Sequence, residues 1–285
     1  MAEEAQKKNI FQRIHDKLAY VFHDSKFGQF WNKAHLQFLV LAFIMYGFKA
    51  VLYFIIAYIP CNPVYFGDPN VALTIGYNGA AFSGVYAMWI DEAIPLIPYF
   101  YFFYILYYVV PEFMLWILSF FDRKKMVTIV VSTMATTVIA CICFIIQQVK
   151  MIRPEGRVYD ASAGVYNLET LFRFGIDWQY HADETALNCL PSLHATVGMA
   201  LAMAGIWTGK DEKHFPIGIR IFCAIFGIGI VMSTFFVKQH YFIDAVTGAG
   251  LMAALYFVFK LWIVPPFLKR REAKLQKLEE AKVAE

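Results

Sequence analysis

The sequence predicts an all-α integral membrane protein, a bundle of about six transmembrane helices, and three observations carry that prediction. The first is composition: 59% of the 285 residues are hydrophobic and only 16% are charged. A soluble domain of this size carries about a quarter charged residues. The second is that the apolar residues gather in long blocks, each able or nearly able to cross about 30 Å of hydrocarbon at about 1.5 Å per residue. The third is the lopsided placement of Lys and Arg between those blocks.

Residues 1–35 are polar and basic, with Ile10, Phe11, Ile14, Leu18 and Phe22 recurring on one helical face. That pattern predicts an interfacial amphipathic helix. No short apolar core with a small-residue cleavage site follows, so block 36–59 reads as an uncleaved membrane anchor. Blocks at 94–120, 127–149, 191–208, 217–236 and 240–263 complete one membrane domain over 36–266. Pro111, deep in the second block, is expected to kink it. Pro191 suits the first turn of the shortest block. Two sizeable polar segments, 60–93 and 150–190, lie between blocks. The later one carries Phe172, Phe174, Trp178 and Tyr180, which suits a cap at the headgroup level or a connector resting on the membrane. Residues 267–285 read as a charged helical tail.

Six spans place both termini on one side, and that side receives 19 Lys and Arg against five on the other. The termini are therefore expected in the cytoplasm, and segments 60–93 and 150–190 outside a plasma membrane. Lys49 falls within the first block. Facing lipid at mid-membrane it would cost roughly 2.5–3.5 kcal/mol, so it is expected to face the bundle or snorkel. A satisfied internal lysine and a functional one both remain open. The five cysteines form no CxxC pair or Cys/His cluster, so neither a metal nor a cofactor is expected. Cys61 and Cys189 share the outer side, where a disulfide remains open. No nucleic-acid partner is expected.

Under this topology three distant clusters reach the outer membrane boundary. They are Arg153-Pro154, Pro191-Ser192-Leu193-His194, and Ser233-Thr234 with Lys238, His240 and Asp244. Each suits a phosphate ester. A helix opening near Pro191 offers unpaired N–H groups and its positive dipole end to an anion, and Ser192 adds a hydroxyl. Arg153 and Lys238 supply fixed positive charge. His240 and Asp244, four apart, share a helical face, where the carboxylate orients the imidazole. One histidine would attack phosphorus while the other protonates the departing oxygen. Singly, each residue also has a bland reading as a packing group or interfacial anchor.

PSLH at 191–194 and the S-T-x5-H-x3-D pattern over 233–244 resemble the second and third signatures of the type 2 phosphatidic acid phosphatase (PAP2) superfamily. The resemblance covers about 147–250. It implies a six-helix fold with an outward-facing site. His240 would form a phosphohistidine, Asp244 would orient it, His194 would be the general acid, and Ser192 and Arg153 would bind phosphate. Two positions depart from the pattern. Ile146 stands where the first signature has a lysine, and Thr234 where the third has an arginine; Lys238, four residues on, is expected to substitute for the latter. The stretch KQHYFIDAVTG, and Asp91-Glu92-Ala93-Ile94-Pro95, also look like the branch containing inositol phosphorylceramide synthase-like transferases. The expected function is hydrolysis of a lipid phosphate or pyrophosphate. The alternatives are transfer of the phosphoryl head group to an alcohol, or phosphate binding by a transporter without chemistry.

Overall fold

In the computed structural model, residues 25–57, 89–146, 153, 158–159, 167–183, 188–206 and 215–266 are described, with isolated positions elsewhere. Residues 1–24 of the expected amphipathic N-terminal segment, apart from Ile14, nearly all of the charged tail, Pro154, and residues 58–88 with Cys61 lie outside the described residues. Among the described residues every regular element is helical. The order is α1 (Lys26–Lys33), α2 (Leu36–Ala57), α3 (Trp89–Ala93), a 3-10 turn (Pro98–Phe100), α4 (Tyr101–Leu106), α5 (Val110–Phe121) and α6 (Arg123–Ile146). Then come α7 (Leu168–Ala182), α8 (Leu193–Ile206), α9 (Ile217–Phe236) and α10 (Phe242–Val258), which continues as a π-helical turn (Phe259–Ile263).

Among the described residues, four helices are long and apolar enough to cross a bilayer: α2, α6, α9, and α10 with its continuation to Pro266. Along their length they expose large apolar side chains, as lipid contact requires, including Ile44 and Val51 on α2, Ile225 on α9 and Trp262 after α10. A fifth crossing is broken: Pro98–Leu106 and α5 meet at 52°. Pro111 lies in the first turn of α5, where its missing N–H leaves no helical bond unmade. Of the six spans expected, the described residues thus hold four, or five with the broken one. The block at 191–208 is described as far as Ile206, as α8. This helix is enclosed by protein, with Ala195, Val197, Leu201 and Ala202 wholly buried.

Close backbone approach holds α8 in place. It packs chiefly on α9 and α10, and also on α6. A β-carbon on Gly198 would press on the Gly227 carbonyl, and one on Gly227 would strike the backbone of Gly198 and Ala202. Small residues at such crossings let helices meet backbone to backbone. Gly248 of α10 similarly faces the Ser192 carbonyl, with no room for a β-carbon. Two further bonds join these helices, from Ser192 N to Asp244 O at 3.0 Å and from Thr196 Oγ1 to Gly248 O at 3.3 Å. The polar residues of α6 are satisfied locally. Thr128, Ser132, Thr133, Thr136 and Thr137 each donate to the carbonyl four residues earlier.

Gly248→Ala should therefore destabilise the protein by about 1–3 kcal/mol, the usual cost of overpacking. Gly250→Ala has open space around its β-carbon, and should be neutral or slightly stabilising. Thermal unfolding in detergent checks both, and equal midpoints for the two variants would contradict the crossing.

Candidate active site

The turn joining α9 to α10 carries His240, and several separate elements grip it. Gln239 N and His240 N both donate to the Thr234 carbonyl at 3.0 Å, closing the turn on the end of α9. Lys238 stands at φ 54, a left-handed conformation that side chains seldom adopt. Its ammonium donates to the carbonyls of Asp91 and Ile94 at 2.8 and 2.6 Å. Asp91 answers through its carboxylate, which accepts from Phe242 N at 2.6 Å at the start of α10. Ile97 N donates to Phe236 O at 3.0 Å, and the Tyr180 hydroxyl to Val237 O at 2.7 Å. The turn is thus clamped between the α3 segment and α7.

On the other side, Ser192 caps α8, its Oγ accepting from Ala195 N at 3.2 Å, which sets His194 in the first helical turn. The α8–α10 contact brings this turn to His240. His240 Nε2 lies 3.4 Å from His194 Nδ1, and His240 Nδ1 lies 3.5 Å from Asp244 Oδ2. That carboxylate is fully buried and is fixed by Tyr241 N, which donates to Oδ2 at 2.9 Å. The His194 ring stacks on Tyr104, with centroids 4.7 Å apart, and tilts against Tyr107 at 4.4 Å. A carboxylate, one imidazole and a second imidazole therefore stand in line, each within reach of the next.

A cavity of about 500 Å³ opens on this line. Tyrosines of α2, α4 and the bend after it wall one side, with Lys49. Trp178, Gln179 and Asp183 of the α7 segment wall another, with Asn188, Cys189, Leu193 and Gln239. Arg153 stands behind this wall. It donates to Tyr180 O at 2.8 Å, to Asp183 O, to Asp183 Oδ2 at 2.7 Å and to Gln239 Oε1 at 2.9 Å. Burial raises the Asp183 carboxyl above its ordinary range, and the guanidinium opposes this. Arg153 Nε, Gln239 Nε2, His194 Nε2 and the Asn188 amide are buried without a hydrogen-bond partner among the described residues. Buried donors are rarely left so, and an anion among them would satisfy several at once.

Residues 169–266 match the PAP2 superfamily model. Over this part, about a third of the chain, the protein is similar to that superfamily. No curated protein and no solved structure matches the chain. The matched region includes His194, His240 and Asp244, and its helices α8–α10 build the imidazole line. Arg153, Asp91, Lys49, Tyr104 and Tyr107 contribute from before it.

The predicted site residues are placed unequally. His194, His240 and Asp244 come together, and Arg153 reaches the cavity wall through Asp183 and Gln239. Ser192 is adjacent but committed to the helix cap, and it does not line the cavity. Lys238 points away. The expectation that it lends charge to a phosphate is corrected, because its ammonium is occupied by two backbone carbonyls of the α3 segment. Burial lowers its pKa, and the Asp91 carboxylate opposes that shift. The clamp role of Asp91 was visible in sequence only as an acidic helix start. Cys189, His240 and Asp244 offer ligand atoms within 4.8 Å of one another. That is a donor set a zinc ion accepts, but it would occupy the His240 ring.

His240 lies in the turn, outside the apolar spans. Burial drives its imidazole far down, to about 3, and the charge of Arg153 pushes the same way. The ring is therefore neutral at pH 7, as a nucleophile must be. Between about 3 and 6.5 the unfolded chain binds a proton that the folded site refuses. Stability from this group is complete above pH 6.5 and is lost as pH falls toward 3. The unfolding midpoint in detergent should fall on acidification below pH 6.5, and less steeply in His240→Gln. Identical pH profiles would remove the buried imidazole as the cause.

Proposed function

We propose that this protein is a membrane lipid phosphatase, hydrolysing a lipid phosphate or pyrophosphate through a phosphohistidine at His240. The observation that carries the reading is the line from Asp244 through His240 to His194 at one end of an aromatic cavity. Asp244 holds a proton on Nδ1 of His240, which leaves the Nε2 lone pair for phosphorus. As the phosphoryl group leaves its lipid, His194 donates a proton to the departing oxygen. Bound phosphate next to this ring favours its charged form, so substrate itself loads the acid. Water then attacks the phosphohistidine and releases phosphate, with His194 taking a proton from it.

The lipid is presented from the outer leaflet of the plasma membrane in this reading, with both termini cytoplasmic. α7 supports it: Leu168, Leu171, Phe174 and Trp178 are exposed along one side, as suits a helix seated at the headgroup level, while its last turn lines the cavity. The test is product analysis in detergent across phosphatidic acid, diacylglycerol pyrophosphate, polyprenyl pyrophosphate and phosphatidylglycerol phosphate, with and without added head-group alcohols. Free phosphate from at least one lipid is expected. Label passing to an alcohol in preference to water would replace hydrolysis with phosphotransfer, and binding without turnover would leave a transporter.

A further inference from the structure

Lys49 lies on α2, outside the matched region and outside every motif that pointed to the site. Its side chain is 5% exposed, and it lines the same cavity as His194 and His240. The ammonium donates to the Tyr107 hydroxyl and lies 4.8 and 4.1 Å from the ring centroids of Tyr46 and Tyr107. Tyr107 also packs on the His194 ring, so one aromatic side chain separates the cation from the imidazole pair. Glu112 attracts the ammonium. Yet both carboxylate oxygens of Glu112 are buried without a hydrogen bond among the described residues.

A phosphoryl dianion entering a cavity walled largely by aromatic rings needs fixed positive charge to replace its water. Other positions are poorly placed to provide it. Ile146 is 65% exposed on the outside of the bundle, the Thr234 hydroxyl is spent on the Val231 carbonyl, and Lys238 is held by the α3 segment. Arg153 serves one side from behind the wall. Among the described residues, Lys49 is the one Lys or Arg that lines the cavity itself.

We propose that Lys49 is a substrate-binding residue of this site, holding an anionic oxygen of the lipid phosphate on the wall beside His194, with Tyr107 positioning its ammonium. The inference rests on the phosphoryl-transfer reading. Its rival is structural: Lys49 would merely neutralise Glu112 within the bundle.

The test uses the full chain in detergent with two readouts. One is initial rates on phosphatidic acid. The other is calorimetric binding of dodecyl phosphate in a His240→Ala background, which needs no turnover. Lys49→Met should raise both KM and the probe Kd by about 10- to 100-fold, the worth of a charged hydrogen bond, and Lys49→Arg should recover most of the loss. The double variant Lys49→Met/Glu112→Gln removes both buried charges and should remain weak in binding. Unchanged KM and Kd in Lys49→Met, or wild-type values in the double variant, would overturn the proposal. Should Lys49→Met fail to fold, the double variant decides alone. If the wild type releases no phosphate from any lipid, the enzymatic reading fails, while the binding arm still decides whether Lys49 holds the anion.

Discussion

His240→Ala is expected to lower phosphate release by at least about 10³-fold on every lipid that the wild type hydrolyses, because it removes the imidazole that Asp244 orients as nucleophile. The rest of the machinery stays in place in this variant. Arg153 keeps its contacts with Asp183 and Gln239, and the turn is still clamped by Asp91, Lys238 and Tyr180. Lipid phosphate should therefore still bind, with the loss falling on kcat. Acid-labile label from a ³²P-lipid should attach to the wild type and be absent from the variant. Equal turnover by the two proteins would remove His240 from the chemistry.

Asp244→Asn should cost about 10²- to 10⁴-fold in kcat with little change in KM, the pattern of an orienting carboxylate rather than a binding group. The substitution is chosen because asparagine can still accept the Tyr241 N–H bond that Asp244 makes at 2.9 Å, so the start of α10 remains capped. Tyr241 N and His240 Nδ1 both address Asp244 Oδ2, so an amide oxygen in that place keeps both contacts and only the negative charge is lost. A neutral amide no longer stabilises the positive charge that develops on the His240 ring as Nε2 bonds to phosphorus. A folded Asp244→Asn protein with wild-type kcat would reduce Asp244 to a helix cap.

What could be read in the chain divides along the range of the interactions involved. The four-residue interval between His240 and Asp244 reports local geometry, and the two side chains do face each other. Ser192 preceding α8 likewise acts locally, as a helix cap. Lys238 was misjudged for the opposite reason. Its interval from Thr234 suggested a shared helical face, but α9 ends at Phe236 and the next residues turn sharply, which sends the side chain to carbonyls more than 140 residues away in sequence. Asp91 was equally opaque, since its partner is the backbone of Phe242.

By itself the sequence determined the membrane class, the all-helical build, and the pairing of an imidazole with a carboxylate, because hydrophobic block length and helical spacing are properties of neighbouring residues. Only the tertiary structure decided that α8 is enclosed by other helices, that the α3 segment grips the turn carrying His240, and that Lys49 looks into the cavity rather than toward lipid. Those outcomes depend on which helices touch and how closely their backbones approach. Glycine contacts such as Gly248 against Ser192 set that approach, and neither partner announces the other along the chain.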